Sequence, residues 1–81
     1  MRYHVIGSQK QVRAMAVAGL KGDIVTDAAQ ACSVLERVIA DKSVGTVLVS
    51  SLYYDDPSVS AVVSAHEKTG RLPVIMRLEQ Y

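Results

Sequence analysis

The chain has 81 residues, a length that allows one small domain. Hydrophobic residues make up 49% of it and charged residues 21%, a balance that argues against disorder. The formal net charge of +1 excludes nucleic-acid binding by bulk positive charge. A single cysteine, Cys32, excludes an intramolecular disulfide framework. No apolar run reaches the roughly 20 residues that a membrane-spanning helix needs. We therefore expect a cytoplasmic protein that does not itself span a membrane.

The first unit of the sequence reads as a strand followed by a helix. Residues 2–6 form a β-prone run that Gly7 ends. Ser8 and Gln11 have the S-x-x-Q spacing of a capping box, in which each side chain binds the other residue's free backbone N–H. Gly19 stands where a left-handed helix end favours glycine.

The second unit repeats this plan. Residues 23–26 predict a short strand, and Asp27 is placed to cap the next helix. An apolar stripe at spacings of three and four follows, which is typical of a helix packed on one face. Its members are Ala28, Ala31, Cys32, Leu35, Val38 and Ile39. Cys32 is thus predicted to be a core residue.

The third unit contains the most apolar strand. Residues 44–49 are almost continuously apolar, which indicates burial on both faces, as in a parallel sheet. Asp56 and Pro57 predict a sharp start to a third helix, which Gly70 ends. Residues 72–78 predict the last strand, with Pro73 at its start.

The alternation β-α-β-α-β-α-β predicts the fold class. We expect a single α/β domain over residues 1–81, with a four-stranded, mostly parallel sheet and helices on both faces, as in flavodoxin-like and receiver-like proteins. Residues 44–50 should be central in this sheet. Residues 23–26, the shortest and most polar strand, should lie at an edge.

The predicted carboxyl ends of the strands lack catalytic groups. Ligands of such sheets bind there, yet the positions that a receiver domain fills with acidic residues hold Gly7-Ser8 and Ser50-Ser51. No phosphate-binding glycine motif is present. His4 and His66 have no acid and nucleophile near them in sequence. We predict no catalytic, cofactor or metal site.

Two other functions stay open from the residues alone. A flavodoxin-like or receiver-like domain without a phosphoacceptor could bind or signal through a small ligand, and it would need a pocket at Gly7-Ser8 and Ser50-Ser51. An enzyme using Ser50 or Ser51 as nucleophile would need a base that the sequence does not show.

A surface for protein contact is predicted at the same end of the sheet. Leu52, Tyr53 and Tyr54 follow the third strand on a predicted loop, and exposed tyrosines are favoured at interfaces. The alternative is that one tyrosine folds back over the sheet. The last strand should present an unpaired edge. The candidate interface residues are Leu52, Tyr53, Tyr54, Arg77, Leu78 and Tyr81. Truncating both loop tyrosines should leave the fold intact.

The chain resembles one known family across nearly its whole length. The matching segments are V-I-G at 5–7, A-G-L-K-G at 18–22, V-T-D at 25–27, V-G-T-V-L-V at 44–49 and L-P-V-I at 72–75. Together, in this order and spacing, they are similar to the F subunit of the V-type and archaeal A-type rotary ATPases. Members of that family usually continue past the fourth strand into a C-terminal helical segment, which has no counterpart in these 81 residues.

The resemblance implies a role without catalysis. It implies a small α/β domain on the central stalk that binds the D subunit and turns with it. It also implies coupling or regulation of ATP turnover in the catalytic A and B subunits during ion transport. No cofactor is implied.

Overall fold

Strands and helices alternate along the computed structural model, which describes residues 1–79. The strands are β1 (Arg2–Gly7), β2 (Lys21–Ile24), β3 (Val44–Ser50) and β4 (Val74–Leu78). The helices are α1 (Gln9–Val17), α2 (Ala28–Ile39), α3 (Ser51–Tyr54) and α4 (Pro57–Glu67).

The four strands form one parallel sheet in the order β2-β1-β3-β4. From β1 the chain first moves to one edge of the sheet to form β2. It then crosses back over β1 to form β3 and β4 on the other side. Right-handed crossovers then place α1 on one face of the sheet and α2 and α4 on the opposite face. The predicted α/β fold is confirmed, as are the central position of β3 and the edge position of β2. The arrangement is that of a flavodoxin-like fold.

The main core lies between the sheet and the α2–α4 layer. Ile6, Val47 and Val49 are completely buried there, and Leu35 of α2 and Val59 of α4 pack against them. On the opposite face, α1 covers mainly β1 and β2, where Val5 and Val12 are buried. The predicted burial of β3 on both faces is complete on the core side and partial on the other, where Ser50 is buried but Thr46 and Leu48 are only half-buried.

The helix starts follow the sequence signals. Ser8 and Gln11 form the predicted capping box, and Asp27 Oδ1 accepts a hydrogen bond from the Gln30 amide at 2.8 Å. Asp56 caps α4, with Pro57 at its first position. Gly19 has φ of +85°, the left-handed conformation expected at the end of α1.

Three boundaries differ from the predictions. Strand β2 begins two residues earlier than expected, and Thr26 instead joins the start of α2, because its amide donates to Gln30 Oε1 at 2.9 Å. Strand β4 begins at Val74 rather than residue 72, since Pro73 has no N–H to donate. The segment predicted as a loop after β3 is the short helix α3.

Burial of the central strand gives a direct test of this architecture. Val47→Asp should prevent folding, because an unpaired carboxylate in the core costs several kcal/mol, a large part of a typical stability of about 5–15 kcal/mol. The matched control is Val17→Asp, at a position on α1 that is 90% exposed. Circular dichroism and urea unfolding should show a near-native control, whereas cooperative unfolding of Val47→Asp would contradict the placement of β3.

Candidate functional site

The short helix α3 shapes the carboxyl end of the sheet. It starts directly after β3, where the buried Ser50 Oγ accepts a hydrogen bond from the Leu52 amide at 3.2 Å. This cap turns the chain immediately out of the sheet. The two tyrosines that follow are therefore held on a helical turn rather than on a loop.

Tyr53 folds back toward the sheet. Its hydroxyl donates a hydrogen bond to the backbone carbonyl of Val25 at 3.2 Å. Tyr53 and Tyr54 are both partly buried and pack against the main core. Truncation of either tyrosine should therefore lower stability, since each contributes buried apolar surface, and survival of the fold in the double truncation stays a prediction.

Tyr54 and Arg77, both predicted interface residues, lie together. The Arg77 guanidinium stands over the Tyr54 ring, 5.9 Å from its centroid. The same guanidinium pairs with Asp55 at 3.0 Å and with Glu79 at 2.9 Å. We call these four residues, Tyr54, Asp55, Arg77 and Glu79, the Arg77 cluster.

The two carboxylates of the Arg77 cluster were not predicted from the sequence. Asp55 ends α3 and Glu79 follows β4, so both lie beside the carboxyl end of the same strand pair. Asp55 and Glu79 both pair with the Arg77 guanidinium, whereas Asp56, the next residue in the chain, caps α4. The sequence does contain a signal for this pairing. Asp55 and Asp56 follow the third strand and Arg77 lies near the end of the fourth, so neighbouring strands would bring them together.

The other predicted interface residues do not all join this cluster. Leu52 lies on α3 and is half-exposed. Leu78 and Arg77 are adjacent in β4, so their side chains lie on opposite faces of the sheet. Arg77 pairs in register with the core residue Val49, and Leu78 therefore lies on the α1 face, where it pairs with Ser50. There it borders a groove of about 230 Å³ together with Ala14 and Met15 of α1. Tyr81 lies outside the described residues.

At the crevice where a flavodoxin-like protein would bind a ligand, the polar groups of this chain make internal contacts, and Ser8 and Gln11 also border the groove beside α1. Ser8 and Ser50 are engaged as helix caps. The Gln11 side chain lies over Gly7, so that a Cβ on Gly7 would stand 2.8 Å from Gln11 Oε1. The glycine thus serves close packing of α1 on β1.

The titratable groups of the core region are engaged in structural contacts. Burial raises the pKa of the Cys32 thiol, with a further contribution from Glu36, which leaves less of the reactive thiolate. His4 hydrogen-bonds to Arg2 at 3.0 Å and to Asp23 at 2.7 Å. His66 Nε2 donates to the Pro73 carbonyl at 2.7 Å.

Metal-binding clusters and membrane-spanning helices are both absent from residues 1–79. No group of three or more His, Cys, Asp and Glu side chains in this part of the chain is placed to hold a metal ion. Over the same residues, no helix combines the length and apolarity needed to cross a membrane.

Comparison with known families decides the classification. A sequence profile described as ATP synthase (F/14-kDa) subunit matches residues 4–80 of the chain. The chain belongs to this family. The resemblance to the F subunit of the V-type and A-type ATPases is thereby confirmed. A search of curated proteins gave no match.

Membership of the ATP synthase F subunit family sets the broad function. It makes the chain a component of a rotary ATPase, and the four-stranded parallel sheet is the scaffold on which that role is built. The Arg77 cluster is the feature at the carboxyl end of this sheet that combines charge, an aromatic ring and exposure.

The packing of Tyr53 predicts graded effects on stability. Tyr53→Phe should lower the free energy of unfolding by about 1 kcal/mol, because the Val25 carbonyl loses its donor. Tyr53→Ala should cost about 2 kcal/mol more, because the ring also leaves the core. Urea unfolding measures both values, and equal stability of the three proteins would contradict the contact.

Asp56 predicts an acid-dependent term in stability. The Ser58 hydroxyl and amide both donate to Asp56 Oδ1, at 2.7 and 3.0 Å, and lower the pKa of this carboxyl below its ordinary value of 3.8. The pKa is lower in the folded state, so the charge stabilises the fold above the unfolded-state pKa. This stabilisation is lost as pH falls through the folded-state value.

Asp56→Asn keeps the cap but removes this titration. Acid unfolding curves should show a gap between wild type and variant at neutral pH that closes as pH falls below about 4. A gap that widens in acid would contradict the assignment.

Proposed function

We propose that this chain is a non-catalytic subunit of the central stalk, or rotor, of a V-type or A-type rotary ATPase. In this role it binds the D subunit of the stalk and turns with it. It couples or regulates ATP turnover in the A and B subunits of the catalytic head during ion transport. The protein would then act in the cytoplasm, at the periphery of the membrane. The family match over residues 4–80 is the observation that carries this proposal.

The state of the reactive side chains supports a role in assembly rather than in chemistry. Ser8 and Ser50 are used as caps, and Gln11 fills the space above Gly7. Cys32 has a raised thiol pKa. This end of the sheet instead presents an arginine and two carboxylates beside a partly buried tyrosine ring, a combination suited to binding another protein.

We assign the stalk contact to the Arg77 cluster and Leu52, with Leu78 and Tyr81 as further candidates. Leu52 offers exposed apolar surface at one side, and Arg77 is already ordered by its two carboxylate partners. An ordered arginine loses little side-chain entropy on binding, which favours it as an interface anchor. Tyr53 supports this contact indirectly, because its hydrogen bond to the Val25 carbonyl holds α3 against the sheet.

Isothermal titration against the purified D subunit tests this assignment. Arg77→Ala and Leu52→Ala should each weaken binding about tenfold, the effect expected of interface anchors that contribute more than 1 kcal/mol. The matched controls are Arg71→Ala, an exposed arginine, and Leu72→Ala, a leucine with the same 51% exposure as Leu52. Both controls should bind within about twofold of wild type.

The outcomes separate the parts of the proposal. Equal losses in the variants and their controls would remove the contact from the Arg77 cluster. A wild-type chain that does not bind the D subunit would overturn the stalk assignment itself. Circular dichroism of each variant ensures that a loss of affinity is not a loss of fold.

A further inference from the structure

The two faces of the sheet are covered unequally. On the core face, His4, Val47 and Ile75 lie side by side across β1, β3 and β4, and all three are buried. On the α1 face, the neighbouring row consists of Val5, Leu48 and Met76. Their exposure rises across the sheet from a fully buried Val5, through a half-buried Leu48, to a Met76 that is 51% exposed.

The exposed part of this face is apolar along β4, while on β3 the half-buried Thr46 lies beside Val74. Val74 lies beside Met76 on β4 and is 52% exposed, and Leu78 continues the same row to the groove beside α1. No charged side chain of β4 interrupts this row, because Arg77 points to the opposite face with Val49. We call these four residues, Leu48, Val74, Met76 and Leu78, the open half-sheet.

The open half-sheet has the dimensions of a helix site. Neighbouring strands lie about 4.8 Å apart, so the two strands beyond α1 offer a width of about 10 Å, the diameter of one helix. The row from Val74 to Leu78 spans about 13 Å, the length of about nine helical residues. On the core face, by contrast, two helices, α2 and α4, cover the sheet.

The flank of α1 shows what kind of helix fits. Ala14 faces the groove, and its small side chain permits close approach of a second helix. Lys10 borders the same groove, and its ammonium group forms no ion pair within residues 1–79. Helix α1 carries no acidic residue. A partner with an apolar stripe and a carboxylate beside it would complement both features.

We infer that the open half-sheet binds one amphipathic α-helix of the stalk partner, seated beside α1 with an acidic residue against Lys10. This inference rests on the proposed function, because it assigns a second contact within the same assembly. The groove at Leu78 and Glu79 joins the open half-sheet to the Arg77 cluster, so a single partner can contact both.

The test titrates the purified D subunit into variants of the full chain. Met76→Glu should weaken binding at least about tenfold, since it places a charge in the apolar contact. Met76→Leu should retain wild-type affinity. The matched control is Ile24→Glu on β2, the opposite edge strand. Ile24 is 50% exposed and Met76 is 51% exposed, so the two substitutions place a charge at equally accessible positions. Its affinity should stay within about twofold of wild type.

The charge is tested separately. Lys10→Glu should weaken binding about threefold or more and reverse part of its salt dependence. Lys68→Glu, at the exposed C-cap of α4 on the opposite face, is the control and should have no such effect.

Each other outcome overturns the inference. Normal binding by Met76→Glu, together with weak binding by Arg77→Ala, would confine the interface to the Arg77 cluster and leave the proposed function standing. Failure of the wild-type chain to bind the D subunit would overturn both. A dimer of the isolated chain in sedimentation velocity that Met76→Glu dissociates would place a second copy on the open half-sheet.

Discussion

The parallel pairing of β1 with β3 is the constraint on which the rest of the molecule depends. It joins Ile6 to Val49 and His4 to Val47 in the centre of the sheet, so the first and third β-α units must share one core. The pairing forces α2 to cross from edge strand β2 over β1, which brings α2 against α4. Each β-α unit has too little apolar surface to form a core alone, and the pairing lets them enclose one core together. A chain of 81 residues needs this, because small domains bury a small share of their surface.

The same topology determines which surfaces stay available. Placing α2 and α4 on one face leaves α1 alone on the other, so half of that face is not covered by residues 1–79. The carboxyl ends of β3 and β4 meet at an outer position of the sheet, where α3 and the Arg77 cluster lie. The exposed apolar residues Val74 and Met76 and the Arg77 cluster thus all lie around β4. Under the proposed function, these are the surfaces through which a partner would hold the chain.

Local signals in the sequence predicted most of the fold because each depends on a few neighbouring residues. The capping box at Ser8 and Gln11, the Asp56-Pro57 helix start and the apolar run of β3 are signals of this kind. Helix α3 was missed because its cap, Ser50, is the last residue of a strand and shows no separate signal. The pairing of Arg77 with Asp55, 22 positions away in sequence, depends on β3 and β4 being neighbours. Leu48 is only half-buried because α1 covers mainly β1 and β2, which periodicity within β3 cannot show.

Hydrogen–deuterium exchange of the chain, free and in complex with the D subunit, tests the account most directly, because it reports every region of the backbone at once. If the carboxyl end of the sheet and β4 form the assembly surface, amides in residues 50–55 and 74–79 should gain protection in the complex. Those of α2 on the opposite face should exchange as in the free chain. Protection centred on α2 and α4, with none at residues 50–55 or 74–79, would contradict it.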